Sequence, residues 1–300
     1  MKTQELHTRA MLVKLSISAW TARKYDRKVS QEVADSHGAT IDAGRYNKHL
    51  LPADAPSYKA LVQHIAKIRT VHYEQTLPWS DEGWRVLTVA NYQKYTDLMR
   101  EGKHTFEKLL SEFIADYPAL KAEAQHRFNG LFNEDDYPAN VRKHYDWDIN
   151  IRNIPQGGDF RVQLSDEEIK ILAANTEERT RQALQDAQAD AVKRLYTVVA
   201  NIVERLTATT KGEDGEIKPG IFRDSLIENA RDLCDVLTRI NLTDDKKLEE
   251  MRRKTEQLAK AEPQSIRENA DVRKETAKQA KAILDSMRST YGTVLSGGGK

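Results

Sequence analysis

Apolar and polar positions alternate with a period of two at only a few places in this chain. Val13, Leu15 and Ile17 alternate with Lys14, Ser16 and Ser18, which predicts a strand with one covered face. Tyr145, Trp147, Ile149 and Ile151 alternate with Asp146, Asp148, Asn150 and Arg152, and Phe160, Val162 and Leu164 follow after Pro155-Gln156-Gly157-Gly158-Asp159. Two one-sided strands around a Pro/Gly loop predict an antiparallel hairpin. An isolated hairpin is barely stable, and the Val13–Ile17 strand is the natural partner.

Elsewhere the spacing is helical. A helix is expected from about Thr21 to His37-Gly38, a short one from Arg45 to Leu51, and one from Pro56-Ser57 carrying Leu61, Ile65, Ile68 and Val71. Another starts near Asn91 with Tyr95, Leu98, Met99, Phe106, Leu110 and Phe113 on one face. Gly102 weakens it by ~1 kcal/mol without breaking it. Pro118 suits the first turn of a following helix that reaches Phe128. The next loop, Asn133-Glu134-Asp135-Asp136, is acidic.

Ser165-Asp166-Glu167-Glu168 reads as a capping box opening a helix that nothing interrupts before Thr207. Its seam is Ile169, Leu172, Thr176, Thr180, Leu184, Ala187, Ala191, Leu195, Val198, Ile202 and Leu206. This eleven-residue period favours a nearly straight or slightly right-handed packing rather than a left-handed coiled coil. The first half is thin and polar, so it is expected to project. After a loop from Lys211 to Gly220 come helices through Phe222–Ile240 and Leu248–Leu258. A last helix, started by Pro263, carries heptad steps from Ile266 to Tyr291 broken only by Arg273, with Gly292 as its cap.

The fold class expected is therefore mainly α, with long antiparallel helices and a small antiparallel β-sheet or hairpin. Residues 1–130 form an N-terminal strand and helices, and 131–165 the acidic loop and hairpin. Residues 166–291 form a long-helix bundle or coiled coil, and 292–300 a disordered tail.

Composition narrows the function classes. Of 300 residues 39% are hydrophobic and 31% charged, which suits long helices covering each other with narrow stripes. The net charge of +1 lacks the bulk basic excess that announces nucleic acid. No run is long and apolar enough for a membrane span, and the start lacks a signal-peptide core, so a cytoplasmic setting with no membrane partner is expected. The lone Cys234 cannot form an internal disulfide.

Candidate chemistry is thin. None of the eight histidines stands three or four residues from another, so no helix offers a paired metal site. Cys234, between Leu233 and Leu237, reads as a small buried thiol. Asp146 and Asp148, with Glu134 to Asp136 near in sequence, admit a Mg²⁺ site for phosphodiester cleavage. A solvated strand face explains them as well. No catalytic, cofactor or metal residue is assigned, and no cofactor is expected. One patch remains, Trp20, Arg23, Lys24, Arg27 and Lys28. On a helix, Arg23 would sit a turn from Arg27 and Lys24 a turn from Lys28, with Trp20 and Tyr25 flanking. Cations neutralise phosphates and aromatics stack on unpaired bases; the bland alternative is a solvated face.

Several stretches together resemble an uncharacterised family of phage and prophage proteins: LSISAWTARKYD (15–26), DAGRYN (42–47), HYEQTLPW (72–79), GDFRVQLSDE (158–167), FRDSLIENARDL (222–233) and RINLTD (239–244). The resemblance covers most of the chain. It implies the cytoplasm of an infected bacterial host and carries over no activity or site residue. The long seam and the heptad then suggest a non-enzymatic, phage-encoded assembly or interaction protein. It would pair with itself or with another phage or host protein, unless the stripes cover each other within one chain. The alternative is a single-stranded nucleic-acid-binding protein of phage replication or recombination.

Overall fold

The computed structural model describes residues 8–52, 54–79, 82–156, 165–211 and 217–296. Among them the chain is mainly helical, with eight helices and a small antiparallel sheet. It divides into two compact units. One comprises Met1–Lys14, Tyr73–Tyr95 and Ile151–Lys300, the other Leu15–His72 and Thr96–Asn150. Neither is a single run of chain.

The expected strand at Val13–Ile17 is β1 (Ala10–Ser18). Leu12 and Val13 are both fully buried, so its first half is covered on two sides, while Ser16 and Ser18 are exposed. β5 (Arg85–Thr88) pairs antiparallel with it, Leu12 opposite Val86, and β4 (Leu77–Pro78) pairs in turn with β5, Leu77 opposite Val86. The strand from Tyr145 is β6 (Asp146–Arg152), and the four-stranded order is β4-β5-β1-β6. Strand β6 thus takes the partner that the sequence proposed for it. Its expected hairpin mate, Phe160 to Leu164, lies outside the described residues. The alternation holds at the start of β6, where Trp147 is buried and Asp146 and Asp148 exposed, and fades by Ile151, which is 45% exposed.

The first unit is dominated by the long helix α4 (Asp166–Thr207), α5 (Ser225–Ile240), α6 (Lys246–Leu258) and α8 (Ala270–Ser296). Both halves of the Ser165 capping box are present, which satisfies donors at the helix start that have no intrahelical acceptor. From Thr180 onward the α4 seam is buried through Ala187, Ala191, Leu195, Ile202 and Leu206. Ile227, Leu237, Leu248, Met251, Ala280 and Met287 join it in one core. The stripes that could have sought an external partner therefore cover each other here. Helix α8 runs antiparallel to α4. Arg273 near its start bonds the carbonyls of Arg205 and Leu206, and Arg288 near its end donates to the Tyr196 hydroxyl at 2.9 Å.

Three expectations for this unit need correction. The loop from Lys211 to Gly220 contains a two-stranded ribbon, β7 (Thr209–Lys211) with β8 (Ile217–Pro219). The final helix is broken: α7 (Pro263–Glu268) ends at an extended Asn269, whose side chain takes the amides of Asp271 and Val272 and caps α8. Gly292 does not cap α8, which kinks at Tyr291 and continues to Ser296. The Tyr291 hydroxyl donates to Asp245 at 2.8 Å, as does the Gln188 amide. Asp245 also caps α6, so one carboxylate ties together α4, α6 and α8.

The second unit is built on α2 (Pro56–Glu74) and α3 (Val89–Phe128), each of which also supplies residues to the first unit. Gly102 is a close approach rather than a weakness. A Cβ there would stand 2.5 Å from Ile68 Cδ1, and the Gly102 carbonyl meets His64 Nε2 at 2.8 Å. Pro118 does not begin a new helix; it sits inside α3. The lost ladder bond and the clash of the ring with the preceding turn together cost about 3 kcal/mol. Burial offsets this, because Phe106, Leu110, Phe113, Tyr117 and Ala124 share one covered row across the proline. Around that row Tyr58, Tyr145, Trp147 and Trp20 pack edge-on or tilted, with ring centroids 5.4–6.0 Å apart.

Candidate nucleic-acid interface

The basic patch lies wholly in the second unit, and its local structure differs from the expected helix. Ala22 has φ of 51°, a left-handed turn that no helix continues through, and its carbonyl accepts the Leu50 amide at 2.8 Å. Arg23–Tyr25 then form strand β2, antiparallel to β3 (Asn47–His49). The short helix expected over Arg45–Leu51 is therefore also a strand. Only after β2 does a helix start: Asp26 accepts the Val29 amide at 3.1 Å and caps α1 (Arg27–Ser36). The helix expected from about Thr21 ran through Asp26, so both the cap and the strand before it were hidden, since Arg-Lys-Tyr carries no alternation of its own.

The register decides which groups meet. Arg23 stands opposite His49, Lys24 opposite Lys48, and Tyr25 opposite Asn47. Arg23, Tyr25, Asn47 and His49 thus share one face of the ribbon and Lys24 takes the other. Arg45, just before β3, lies over the Tyr25 ring with its guanidinium carbon 5.9 Å from the centroid. Arg23, Lys24, Tyr25, Arg27 and Lys28 are all exposed; Arg23 and Arg27 are not stacked a turn apart, and neither are Lys24 and Lys28. Trp20 does not flank the cations as a free platform. It is half-buried edge-on against Tyr117, and its carbonyl accepts the Tyr58 hydroxyl at 3.2 Å.

What holds the ribbon is Lys48. Its ammonium is buried between Asp26 at 3.2 Å and Asp136 at 2.5 Å, and it also donates to the Leu131 carbonyl. Burial opposes the charge on Lys48, but the two carboxylates outweigh it and raise its pKa. The Val29 amide, assisted by Lys48, holds Asp26 below the usual carboxylate range. The acidic turn Glu134–Asp136 is therefore spent on structure, with Glu134 on Lys121 and Asp136 on Lys48.

Reading the sequence missed Arg45 and His49, which chain distance separates from the patch and β pairing returns to it. The only available signal was the Arg45-Tyr46 pair behind Gly44 in a polar stretch. Other candidates gain nothing. Asp146 and Asp148 are exposed, and no group of three or more potential ligands able to hold a metal occurs among the described residues. Cys234 is buried, donates weakly to the Arg252 carbonyl, and has its pKa pushed up to about 12 by burial. No helix among the described residues is long and apolar enough to cross a membrane. Comparison with models of protein families, with curated proteins and with solved structures finds no match for this chain.

Proposed function

We propose that this chain is a non-enzymatic binding protein that holds single-stranded nucleic acid on the β2–β3 ribbon and the start of α1. In the phage setting that the sequence resembles, this suits replication or recombination. One observation carries the reading. Arg27 and Lys28 occupy the first turn of α1, at the positive end of the helix dipole; that turn holds no acidic residue, and the capping Asp26 is already engaged by the Val29 amide and Lys48. Cations at that end cost stability, and a bound phosphate would relieve them. Arg23 and Lys24 continue this exposed positive strip along β2, one on each face of the ribbon. A local choice that opposes stability points to function. Glu32, 3.9 Å from Lys28, is the nearest counter-charge in an ion pair with the strip.

The test is binding of a labelled oligonucleotide across a salt series. If all four cations meet phosphates, log K should fall with log salt at a slope near −3, from ~0.7 per phosphate on a single strand. Reversing Arg23, Lys24, Arg27 and Lys28 to glutamate should abolish binding while leaving the circular dichroism unchanged. Absence of wild-type binding at low salt, or an unaffected variant, rejects the proposal.

A second reading, association through the helices with itself or another phage or host protein, is favoured by the first turns of α4. No residue of α4 before Thr180 is buried; Ile171 is 58% exposed, and Ile169, Leu172 and Thr176 are only partly covered. Sedimentation equilibrium at high micromolar concentration should then show a dimer that Leu172→Asp disperses. A monomer at every concentration removes self-association, leaving capture of a different protein as the remaining form of this reading.

A further inference from the structure

We infer that Tyr25 is the residue by which the ribbon distinguishes unpaired bases from duplex, with Arg45 as its flanking cation. The inference rests on the nucleic-acid reading above and names what that reading leaves open, namely which side chain meets a base. Phosphate contacts by themselves do not favour single strands, because a duplex presents the denser charge. Discrimination needs a π-face that a stacked base pair cannot reach.

Tyr25 is 41% exposed on the ribbon face that also carries Arg23, Asn47 and His49. The surrounding backbone is fixed on both sides. The Asp26 amide donates to the Tyr46 carbonyl at 3.0 Å, the Tyr46 amide to Ser30 Oγ at 2.9 Å, and Ser30 Oγ to the Asp26 carbonyl at 2.7 Å. The Leu50 amide closes the far end on Ala22. A ring presented from such a frame loses little freedom on binding, and a tyrosine has few torsions to freeze. Arg45 over the ring supplies a guanidinium that can lie along a stacked base or reach its phosphate, a pairing of cation and aromatic suited to single strands. Trp20, the larger ring in the sequence motif, is committed to Tyr117 and cannot serve.

The experiment measures the affinity of the full chain for a fluorescent oligothymidine and for a duplex of equal length, at several salt concentrations. Tyr25→Ala should weaken oligothymidine binding by about 5- to 150-fold, the range that base–aromatic stacking covers. It should leave duplex binding and the salt slope unchanged, because no phosphate contact is lost. Tyr25→Phe should retain the wild-type preference. An Ala variant that binds oligothymidine as tightly as wild type, or that loses equally on both ligands, overturns the assignment of Tyr25 while leaving the charged strip standing. A wild-type chain that binds neither ligand overturns the strip and this inference together.

Discussion

Replacing Lys48 with methionine is expected to destabilise the second unit by about 3–5 kcal/mol, a large share of the ~5–15 kcal/mol that a domain has in total. Lys48 and Asp136 keep only 5% and 6% of their side-chain exposure, and Asp26 keeps 16%. Methionine fills the volume but leaves two carboxylates facing each other without a cation. The triple variant Lys48→Met, Asp26→Asn, Asp136→Asn should recover most of the loss, since it removes the stranded charges as well. The Asp26 side chain also caps α1, and asparagine keeps that role. Hydrogen exchange read peptide by peptide should place the loss in 15–72 and 96–150. Uniform protection in the single variant would show that the ion group contributes nothing.

The acid dependence follows with a definite sign. The Asp26 pKa is lowered in the folded chain, so its contribution is present above the unfolded value of ~3.9 and disappears as pH falls through the folded one. The Lys48 pKa is raised, so its contribution is complete at neutral pH and fades only as strongly alkaline pH passes the folded value. In Lys48→Met the depression of Asp26 shrinks, and acidification should then cost less stability than it costs the wild type.

The second large effect is expected at Arg273, the residue that breaks the heptad. Its guanidinium is buried and donates to the carbonyls of Leu206 at 3.0 Å, Arg205 at 2.9 Å and Gly220 at 3.0 Å. Two of these lie in the last turn of α4, where carbonyls lack intrahelical partners and carry the negative end of the dipole. Arg273→Met should leave three buried acceptors unmet. At about 1–3 kcal/mol for each stranded group, and without full additivity, a loss near 3–5 kcal/mol is expected by urea titration. Arg273→Lys should recover only part, because a single ammonium cannot span the planar fork. A methionine variant as stable as wild type would mean that solvent reaches these carbonyls.

Both residues show how far the sequence carries. In the heptad Arg273 is a flaw, and in the ribbon Lys48 is one more surface lysine. Each becomes a tie only when distant chain supplies its acceptors: Arg205, Leu206 and Gly220 for one, Asp26 and Asp136 for the other. The same holds for the candidate interface. Its cations were legible as a cluster, yet their arrangement was not, because a three-residue strand has no period to read and exists only through its partner 24 residues on. Pro118 makes the converse point. Local preference argued for a helix start, and the buried row that runs from Phe106 to Ala124 across it overrode that preference.

Periodicity along the chain was sufficient for the helices α2 and α4 to α6, the capping box at Ser165, and strands β1 and β6, because each is specified by side chains within a few residues of one another. Tertiary structure alone decided where α3 continues, where the last helix breaks, and which basic side chains share a face with Tyr25. Those outcomes depend on hydrogen bonds and burial between segments far apart in sequence, and no local spacing encodes the energy of a contact whose other half is elsewhere.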